Sequence, residues 1–370
     1  MTLRRLIART AIVVMLMVVV GGTIAYVRST NDCDTRAAIS PTVPMQAYGY
    51  CDYGTADVLR LHTVERPVPK AGEVLVRVQA AAVNPLDWHM LRGTPYVMRL
   101  DSGLRKPAVT QVGVDFAGTV AAVGAGVTRF APGDDVFGMR TGAFAEYIAV
   151  HAERALARKP TNLTFEQAAA VPVAAFTALQ GLRDHGRLQR GQSVLINGAS
   201  GGVGTFAVQI ASHLGAEVTG VCSTRNVALV KALGAARVID YTREDFTAGA
   251  KRYDVVLDNV GNQPLSAIRR VLAPDGRYIL VGGGGPDDHT VIGPLGRVAA
   301  AFLLSRFGRQ EMTMFVARGN RTDLEYLGAL LQAGTIVPVI DRTYPLAQLP
   351  EAIRYLEKGR ARGKVVITVE

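Results

Sequence analysis

The feature that most constrains the fold is a glycine-rich turn in the middle of the chain. Residues 198–204 read GASGGVG and stand between an apolar run, SVLIN (193–197), and a stretch with helical apolar spacing, TFAVQIASHL (205–214). Glycines at such a junction let backbone amides approach a pyrophosphate at a helix N-terminus, where the helix dipole favours negative charge. The strand, turn and helix together predict a dinucleotide-binding site.

The rest of the chain divides into two regions with different patterns of apolar runs and turns. After residue 170, apolar runs such as EVTGVC (217–222) and DVVLDNV (254–260) alternate with helical stretches, which predicts a doubly wound parallel sheet. Before it, short runs between Gly and Pro turns indicate a β-rich, barrel-like domain. We therefore predict an α/β fold with a β-rich domain over 45–170 and a nucleotide-binding domain over 171–318.

The residues after the second strand of the nucleotide-binding domain bear on the choice of cofactor. An NAD site places a carboxylate there against the ribose 2′-hydroxyl, but this chain reads Cys222-Ser223-Thr224-Arg225. Two hydroxyls and a guanidinium suit a 2′-phosphate, which favours NADPH over NADH. The alternative is an ordinary polar loop with Arg225 in solvent.

Charge and cysteine content exclude other classes of protein. The net charge is +10, but the cations are scattered and Arg183 to Arg190 has no interleaved aromatic residue, so nucleic acid is not an expected partner. Three cysteines (Cys33, Cys51 and Cys222) are too few for a disulfide framework or for two zinc sites. We expect all three to be reduced thiols.

The N-terminus carries an apolar run over residues 11–27 that predicts a hydrophobic helix. At about 1.5 Å per residue it reaches roughly 25 Å, near the lower limit for crossing a bilayer. We expect residues 1–44 to be a retained membrane segment and linker. A cleaved signal peptide and a chain that starts at Met45 and is soluble in the cytoplasm are the alternatives.

The orientation of such an anchor is subject to opposing indications. Arg4, Arg5 and Arg9 precede the run and only Arg28 and Arg36 follow it, which favours an N-terminus inside and a body outside the cytoplasm. A nucleotide-binding site instead suits the cytoplasm, where NADPH is available. We expect a single-pass anchor with a cytoplasm-facing body.

Further motifs carry a family resemblance. They are AAVNPLDWHMLRG (81–93), VGVDFAGTVAAVGAGV (112–127), PGDDVFG (132–138), AAAVPVAAFTAL (168–179), LGAARVIDY (233–241), DNVG (258–261) and ARGKVVITV (361–369). In this order they resemble the medium-chain dehydrogenase/reductase superfamily, and within it the zinc-free, zeta-crystallin-like quinone oxidoreductase branch. The resemblance implies a GroES-like catalytic domain, a Rossmann cofactor domain, a return of residues 319–370 to the catalytic domain, and a homodimer.

The resemblance also implies a reaction. Zinc-dependent relatives hold their metal with a Cys in the early loop and with a Gly-His-Glu motif, whereas here these read Val83-Asn84-Pro85-Leu86-Asp87 and Gly113-Val114-Asp115. We therefore expect no metal, and hydride transfer from NADPH to a quinone or an α,β-unsaturated carbonyl, whose conjugation spreads the developing charge. The alternatives are an enoyl-thioester or carbonyl reductase, and a membrane-tethered NADPH-binding redox sensor or scaffold without turnover.

Site residues follow from the same comparison of motifs. Asn84 is expected to polarise a carbonyl or anchor the nicotinamide ribose, and Asp87 to orient water or only to stabilise its loop. Trp88 is expected either to stack on a quinone or to be a core aromatic residue. The expected cofactor-binding residues are Thr177, Ser200, Gly201, Gly202, Val203, Gly204, Ser223, Arg225, Tyr241, Asn259, Gly283 and Arg362.

Overall fold

The fold is built from two large sheets and a two-stranded ribbon. A computed structural model describes residues 41–283 and 308–369, together with residues 15, 19–23, 33, 285 and 296. The described strands are β1 (Pro44–Gly49), β2 (Arg60–Glu65), β3 (Glu73–Val83), β4 (Asp115–Val123), β5 (Asp135–Met139), β6 (Tyr147–His151), β7 (Leu156–Arg158), β8 (Ser193–Asn197), β9 (Glu217–Cys222), β10 (Arg237–Asp240), β11 (Tyr253–Asp258), β12 (Leu272–Leu280), β13 (Glu311–Met314), β14 (Ile340–Pro345) and β15 (Lys364–Thr368).

Helices connect and cover these strands. The described α-helices are α1 (Pro85–Arg92), α2 (Arg99–Ser102), α3 (Phe165–Ala169), α4 (Pro172–Gln180), α5 (Gly202–His213), α6 (Val227–Ala232), α7 (Leu265–Val271), α8 (Arg321–Gln332) and α9 (Leu349–Glu357). Short 3-10 turns lie at Ala56–Val58, Tyr96–Met98, Thr224–Asn226 and Leu346–Gln348, and a π-helical turn, Gly181–His185, continues α4.

The predicted parallel sheet is confirmed. Its order is β10-β9-β8-β11-β12-β13, and every neighbouring pair is parallel. Along β8, Val194 and Ile196 belong to one buried apolar cluster and Leu195 to another. Both faces of the sheet are therefore covered, as the apolar strand sequences require.

The β-rich sheet is organised around the long strand β3. Its order is β14-β15-β3-β4-β5-β7, and β6 pairs with β3 beside this path. The first half of β3 pairs with β6 and the second half with β15, both antiparallel. Because β14 and β15 come from the last 31 residues of the chain, from Ile340 onward, the C-terminus returns to the sheet of the N-terminal half.

One apolar cluster joins the two sheets. It contains Ala82 and Phe137 of the β-rich sheet, Ile196 and Leu257 of the parallel sheet, and most of α4 between them. Helix α4 is buried along almost its whole length, which its sequence PVAAFTALQ allows because only Gln180 and Thr177 are polar. The space between the sheets is therefore filled on the side of α4.

The N-terminal segment differs in one respect from expectation. The expectation of three reduced thiols is wrong for two of them, because Cys33 and Cys51 form a disulfide with a Cα–Cα distance of 6.0 Å. No described helix has both the length and the apolar character that a bilayer crossing requires. Most of the predicted span over 11–27 lies outside the described residues.

A glycine at the crossing of β3 and β4 provides a test of this packing. A Cβ built on Gly118 would lie 2.0 Å from the carbonyl oxygen of Arg77 on the neighbouring strand. Gly118→Ala should therefore destabilise the fold by about 1–3 kcal/mol, the range for overpacked cores. The measurement is the urea midpoint of unfolding. Gly249→Ala is the matched control because a Cβ there meets nothing within 4 Å; equal midpoints for the two variants would contradict the described register.

Candidate active site

The glycine turn is shaped by close backbone contacts. Gly198 has φ 75°, a conformation that side chains disfavour. A Cβ on Gly204 would lie 2.1 Å from the carbonyl oxygen of Gly198, so α5 can approach β8 only with glycine there. Helix α5 begins at Gly202, directly after its N-cap Gly201. The amides of its first turn have no intrahelical acceptors and are available to an anion.

Two buried amide oxygens beside this turn have no partner among the described residues. Asn226 donates from Nδ2 to Ser200 Oγ (2.9 Å) and Ser223 Oγ (3.2 Å), and Asn259 donates to the carbonyl oxygen of Asn197 (2.9 Å). Their Oδ1 atoms accept no hydrogen bond. A buried polar atom left unsatisfied is costly, so these oxygens indicate a ligand with donor groups. The glycines, free amides and orphaned acceptors fit a dinucleotide.

The turn after β9 carries the residues expected to distinguish the cofactors. The hydroxyl of Thr224 is engaged by Asp240 Oδ2 (2.6 Å), which leaves Ser223 and Arg225 as the candidate phosphate ligands. Arg225 is exposed and donates to the carbonyl oxygen of Arg360 in the C-terminal tail. A guanidinium held beside a hydroxyl is suited to bind a phosphate by charge-assisted hydrogen bonds.

The tail meets the glycine turn directly. Gly363 N donates to the carbonyl oxygen of Ser200 (2.9 Å), and Gly363 forms an isolated bridge with Gly201. Arg362 is exposed next to this contact. Arg362 therefore lies next to a residue that contacts the turn, and its expected role in cofactor binding stays a prediction.

Asn259, Gly283 and Tyr241 follow the carboxyl ends of strands of the parallel sheet, whereas Thr177 and Val203 lie in helices. Asn259 follows β11, and a Cβ on Gly282 would lie 2.6 Å from its carbonyl oxygen, so Asn259 and Gly283 are on adjoining loops. Tyr241 is 60% exposed and its amide donates to the carbonyl oxygen of Cys222. Thr177 is buried in α4 and donates to Val173 O (2.7 Å), and Val203 is half-buried in the first turn of α5.

A buried polar network lies under the glycine turn. Asp115 is fully buried and accepts hydrogen bonds from Asn84 Nδ2 (2.9 Å), Lys364 Nζ (3.2 Å) and Val173 N (2.9 Å). Lys364 Nζ also donates to Asn84 Oδ1. A Cβ on Gly202 would lie 3.0 Å from Lys364 Cδ, so the lysine stem packs against the start of α5.

The network engages the whole amide of Asn84. Its Nδ2 donates to Asp115 and to the carbonyl oxygen of Ala82 (3.2 Å), and its Oδ1 accepts from Lys364. These contacts fix the side chain within the fold. Such contacts are typical of a residue that positions its loop. To polarise a substrate carbonyl, as expected from the resemblance, Asn84 would have to give up one of these hydrogen bonds.

Asp87 belongs to the same buried region. It lies at the third position of α1 and accepts from Asn84 N (2.7 Å) at the start of that helix. Burial raises the pKa of Asp87 to about 7, opposed by hydrogen bonds from the Asn84 and Gly113 backbone and reinforced by the negative charge of Asp115. Desolvation also raises the pKa of Asp115, against the attraction of Lys364.

Trp88 lies in the core of the β-rich domain, and stacking on a quinone stays a prediction. It is 5% exposed and belongs to the apolar core of the β-rich sheet, and its ring stacks on His89 with 3.7 Å between centroids. The side chain is therefore part of the packing of α1.

Sequence reasoning missed Lys364, Asp115 and Asn226 as members of the site. Asp115 ends the stretch that differs from the Gly-His-Glu motif, and Lys364 stands two residues after Arg362 in the tail motif. Register brings them together, because Val365 pairs with Val83 and Asp115 pairs with Ala82 across β3. The only sequence signal was a lysine within an otherwise apolar closing strand.

The described residues contain no group of three or more His, Cys, Asp and Glu side chains arranged to hold a metal ion. Asn84 and Asp115 come from the two stretches compared above with the zinc-binding motifs, and both bind the Lys364 ammonium. The local positive charge in this region therefore comes from a side chain.

Comparison with known proteins agrees with this architecture. Residues 70–161 match the family described as "Alcohol dehydrogenase GroES-like domain" and residues 233–367 the family described as "Zinc-binding dehydrogenase". The chain is 36% identical to a 2-methylene-furan-3-one reductase from Solanum lycopersicum, covering 90% of this chain and 81% of that protein. It is 33% identical to an NADPH-dependent alkenal/one oxidoreductase from Arabidopsis thaliana, covering 87% and 79%.

Solved structures show the same fold. The quinone oxidoreductase from Coxiella burnetii superposes with a TM-score of 0.76 at 30% identity, covering 88% of this chain and 100% of that one. The similarity therefore spans both sheets.

The buried ion pair can be tested through stability. Lys364→Met leaves Asp115 buried without its cation, which should cost about 3–5 kcal/mol in the free energy of unfolding. The double variant Lys364→Met/Asp115→Asn should cost less than the sum of the single changes, because the uncompensated charge is gone. Lys358→Met, on an exposed lysine near the tail, is the control. Additive losses in urea unfolding would contradict the pairing.

The raised pKa of Asp87 predicts how stability depends on pH. The folded protein keeps this proton up to about pH 7, whereas the ordinary value is 3.8, so its contribution to stability falls as pH rises through that window. The free energy of unfolding should decrease less steeply between pH 4.5 and 7 in Asp87→Asn, by up to about 1.4 kcal/mol per pH unit. The measurement is urea unfolding at several pH values across this range. Asp134→Asn is the control because Arg158 lowers the pKa of Asp134, below this window. An unchanged slope for Asp87→Asn would refute the assignment.

Proposed function

The chain belongs to the medium-chain dehydrogenase/reductase superfamily, as an oxidoreductase of its quinone and enone reductase branch, and we propose that it transfers hydride from NADPH to a quinone or an α,β-unsaturated carbonyl. The observation that carries the proposal is the glycine turn at Gly198–Gly204, with Ser223 and Arg225 beside it and no carboxylate after β9. Relatives named as alkenal/one and furanone reductases support the class of acceptor.

The residues that would hold the cofactor follow from their contacts. The first-turn amides of α5 suit the pyrophosphate, and Ser223 and Arg225 suit the 2′-phosphate. The Oδ1 atoms of Asn226 and Asn259 offer acceptors to ribose hydroxyls or to the carboxamide. When bound, NADPH supplies a hydride from its nicotinamide ring, which the protein positions against the acceptor.

We infer that the reaction proceeds without zinc. The early loop has no Cys and Gly113-Val114-Asp115 has no His, and the polar residues of these stretches, Asn84 and Asp115, are bonded to Lys364. Without a Lewis acid the substrate itself must delocalise the developing negative charge, which quinones and enones do. This selects them over unactivated ketones.

The chain's own residues hold in place the early loop Val83–Asp87, called the substrate loop from here on, and supply a protonated group. The contacts of Asn84 to Asp115 and Lys364 fix the start of α1 relative to the glycine turn, and such alignment accounts for much of the rate gain in two-substrate reactions. Asp87 has a pKa of about 7 and therefore holds its proton on part of the molecules at neutral pH. We propose Asp87 as the source of the proton that the reduced acceptor takes up after hydride transfer, because a general acid works best with a pKa near the working pH.

The remaining parts of the proposal concern assembly. The apolar run over 11–27 is proposed to anchor the protein to a membrane, where lipophilic quinones dissolve. A homodimer is proposed from the family resemblance.

Cofactor choice can be tested at Arg225. Arg225→Gln should raise KM for NADPH about 10–100-fold, because a hydrogen bond to a charged phosphate is lost, and leave KM for NADH nearly unchanged. Arg154→Gln, an exposed arginine of the β-rich domain, should change neither. Equal effects on both cofactors would show that Arg225 does not contact a 2′-phosphate.

The reaction itself is tested with the purified full chain and a panel of acceptors. A soluble quinone, an alkenal, an enoyl thioester and a saturated ketone are each supplied with NADPH or NADH. The proposal predicts turnover of the quinone or the alkenal with NADPH and none of the saturated ketone. Tight NADPH binding with no turnover of any acceptor would instead support a sensor or scaffold.

A further inference from the structure

We propose that the Cys33–Cys51 disulfide is the native state of this protein, that it clamps the segment before the body to the β-rich domain, and that the body faces an oxidising compartment. This inference is independent of the proposed activity. It rests on a bond between a residue of the predicted linker and the first turn of the body.

The body offers Cys51 a fixed attachment point. The residue lies two positions after the end of β1, and both sides of its turn are held: Tyr50 N donates to Thr110 O (2.9 Å), and Tyr53 Oη donates to Gly103 O (2.6 Å). Gly54 N donates to Leu91 O (3.0 Å), so the turn also packs on the end of α1. A partner linked to Cys51 is therefore held beside the C-terminal end of α1.

Oxidation has a single product in this chain. The third cysteine, Cys222, is buried at the end of β9 in the parallel sheet, and burial raises the pKa of its thiol to about 11. A buried neutral thiol neither attacks a disulfide nor exchanges with one. The odd cysteine thus does not compete, and Cys33 has only Cys51 as partner.

The bond forms by thiol–disulfide exchange with a disulfide-bearing oxidant, such as a thiol–disulfide oxidoreductase of the compartment. One thiolate of the pair attacks a sulfur of the oxidant and gives a mixed disulfide. The second thiolate then attacks the protein sulfur of that mixed disulfide and releases the oxidant as a dithiol. Cys33 and Cys51 lose two electrons and two protons, which the oxidant gains.

The clamp shortens the connection between the apolar run and the body. Val27 and Pro44 are 17 residues apart, which an extended chain spans over roughly 60 Å, whereas Val27 and Cys33 are six residues apart, or roughly 20 Å. With the disulfide formed, the attachment point on the body lies at most roughly 20 Å from the end of the apolar run. The α1 side of the β-rich domain is the part held closest.

Two observations agree on the compartment. Stable disulfides are rare in a reducing cytosol. The excess of Arg before the apolar run favours an inside N-terminus, which puts the body on the opposite side. Both oppose the cytoplasm-facing body expected from the cofactor. The cofactor proposal is tested by NADPH binding to the purified protein. The disulfide proposal is tested by the number of free cysteine thiols in cells, so either proposal can fail without the other.

The first test counts thiols in cells that express the full chain. The cells are quenched with acid, and the denatured protein is treated with a polymer-linked maleimide. For the natural sequence, the proposal predicts one modified thiol without reductant and three with reductant. For Cys222→Ser, it predicts no modified thiol without reductant and two with reductant. Three modified thiols without reductant would overturn the proposal. On intact cells, a membrane-impermeant phosphine should open the bond; a bond that opens only after lysis would overturn the orientation.

The second test measures the clamp. A site for a sequence-specific protease is inserted between Ala38 and Ile39, inside the loop that the bond closes. After cleavage the N-terminal piece should stay attached on a non-reducing gel, and the body should leave the membrane pellet only with reductant. The matched control has the site between Arg28 and Ser29, where cleavage releases the body without reductant. Separation of the pieces from the first variant without reductant would refute the clamp.

Discussion

The arrangement of the site depends on one buried carboxylate. Asp115 accepts hydrogen bonds from Asn84 at the start of α1, from Lys364 at the start of β15 and from Val173 at the start of α4. These residues come from the early substrate loop, the returning tail and the helix that leads to the parallel sheet. Losing any of them leaves a buried charge or amide without a partner, which is why the three segments meet in one geometry.

The same contact couples the two domains at the cofactor turn. The stem of Lys364 packs at the start of α5 while its ammonium binds Asn84 and Asp115, and the preceding Gly363 bonds to Ser200. A buried ion pair contributes little net stability over an apolar replacement, but it specifies position. Here the position specified is that of the substrate loop relative to the glycine turn, which a hydride transfer requires to be constant.

A feature can be predicted from the sequence when the residues that form it are close together along the chain, and not when they are far apart. Gly198–Gly204, with β8 before it and α5 after it, is a local pattern, and its strand, turn and helix are confirmed. The Asn84–Lys364 contact joins residues 280 positions apart and follows from antiparallel register, which a single sequence does not encode locally. Trp88 was ambiguous because a core and a stacking aromatic have the same sequence signature. The number of cysteines does not predict the disulfide, because the bond depends on the turn that brings Cys51 to Cys33.

The protonation of Asp87 follows from this network as well. Within the described part of the chain, Lys364 is the cation that acts on both Asp87 and Asp115, and all three side chains are at most 3% exposed. One ammonium compensates one carboxylate, so ionisation of both acids leaves an uncompensated buried charge. Asp115 has the direct contact with Lys364, and Asp87 is the acid whose pKa rises to about 7. The Asp115–Lys364 contact, which fixes the substrate loop, therefore also determines that Asp87 is the acid that holds a proton near neutral pH.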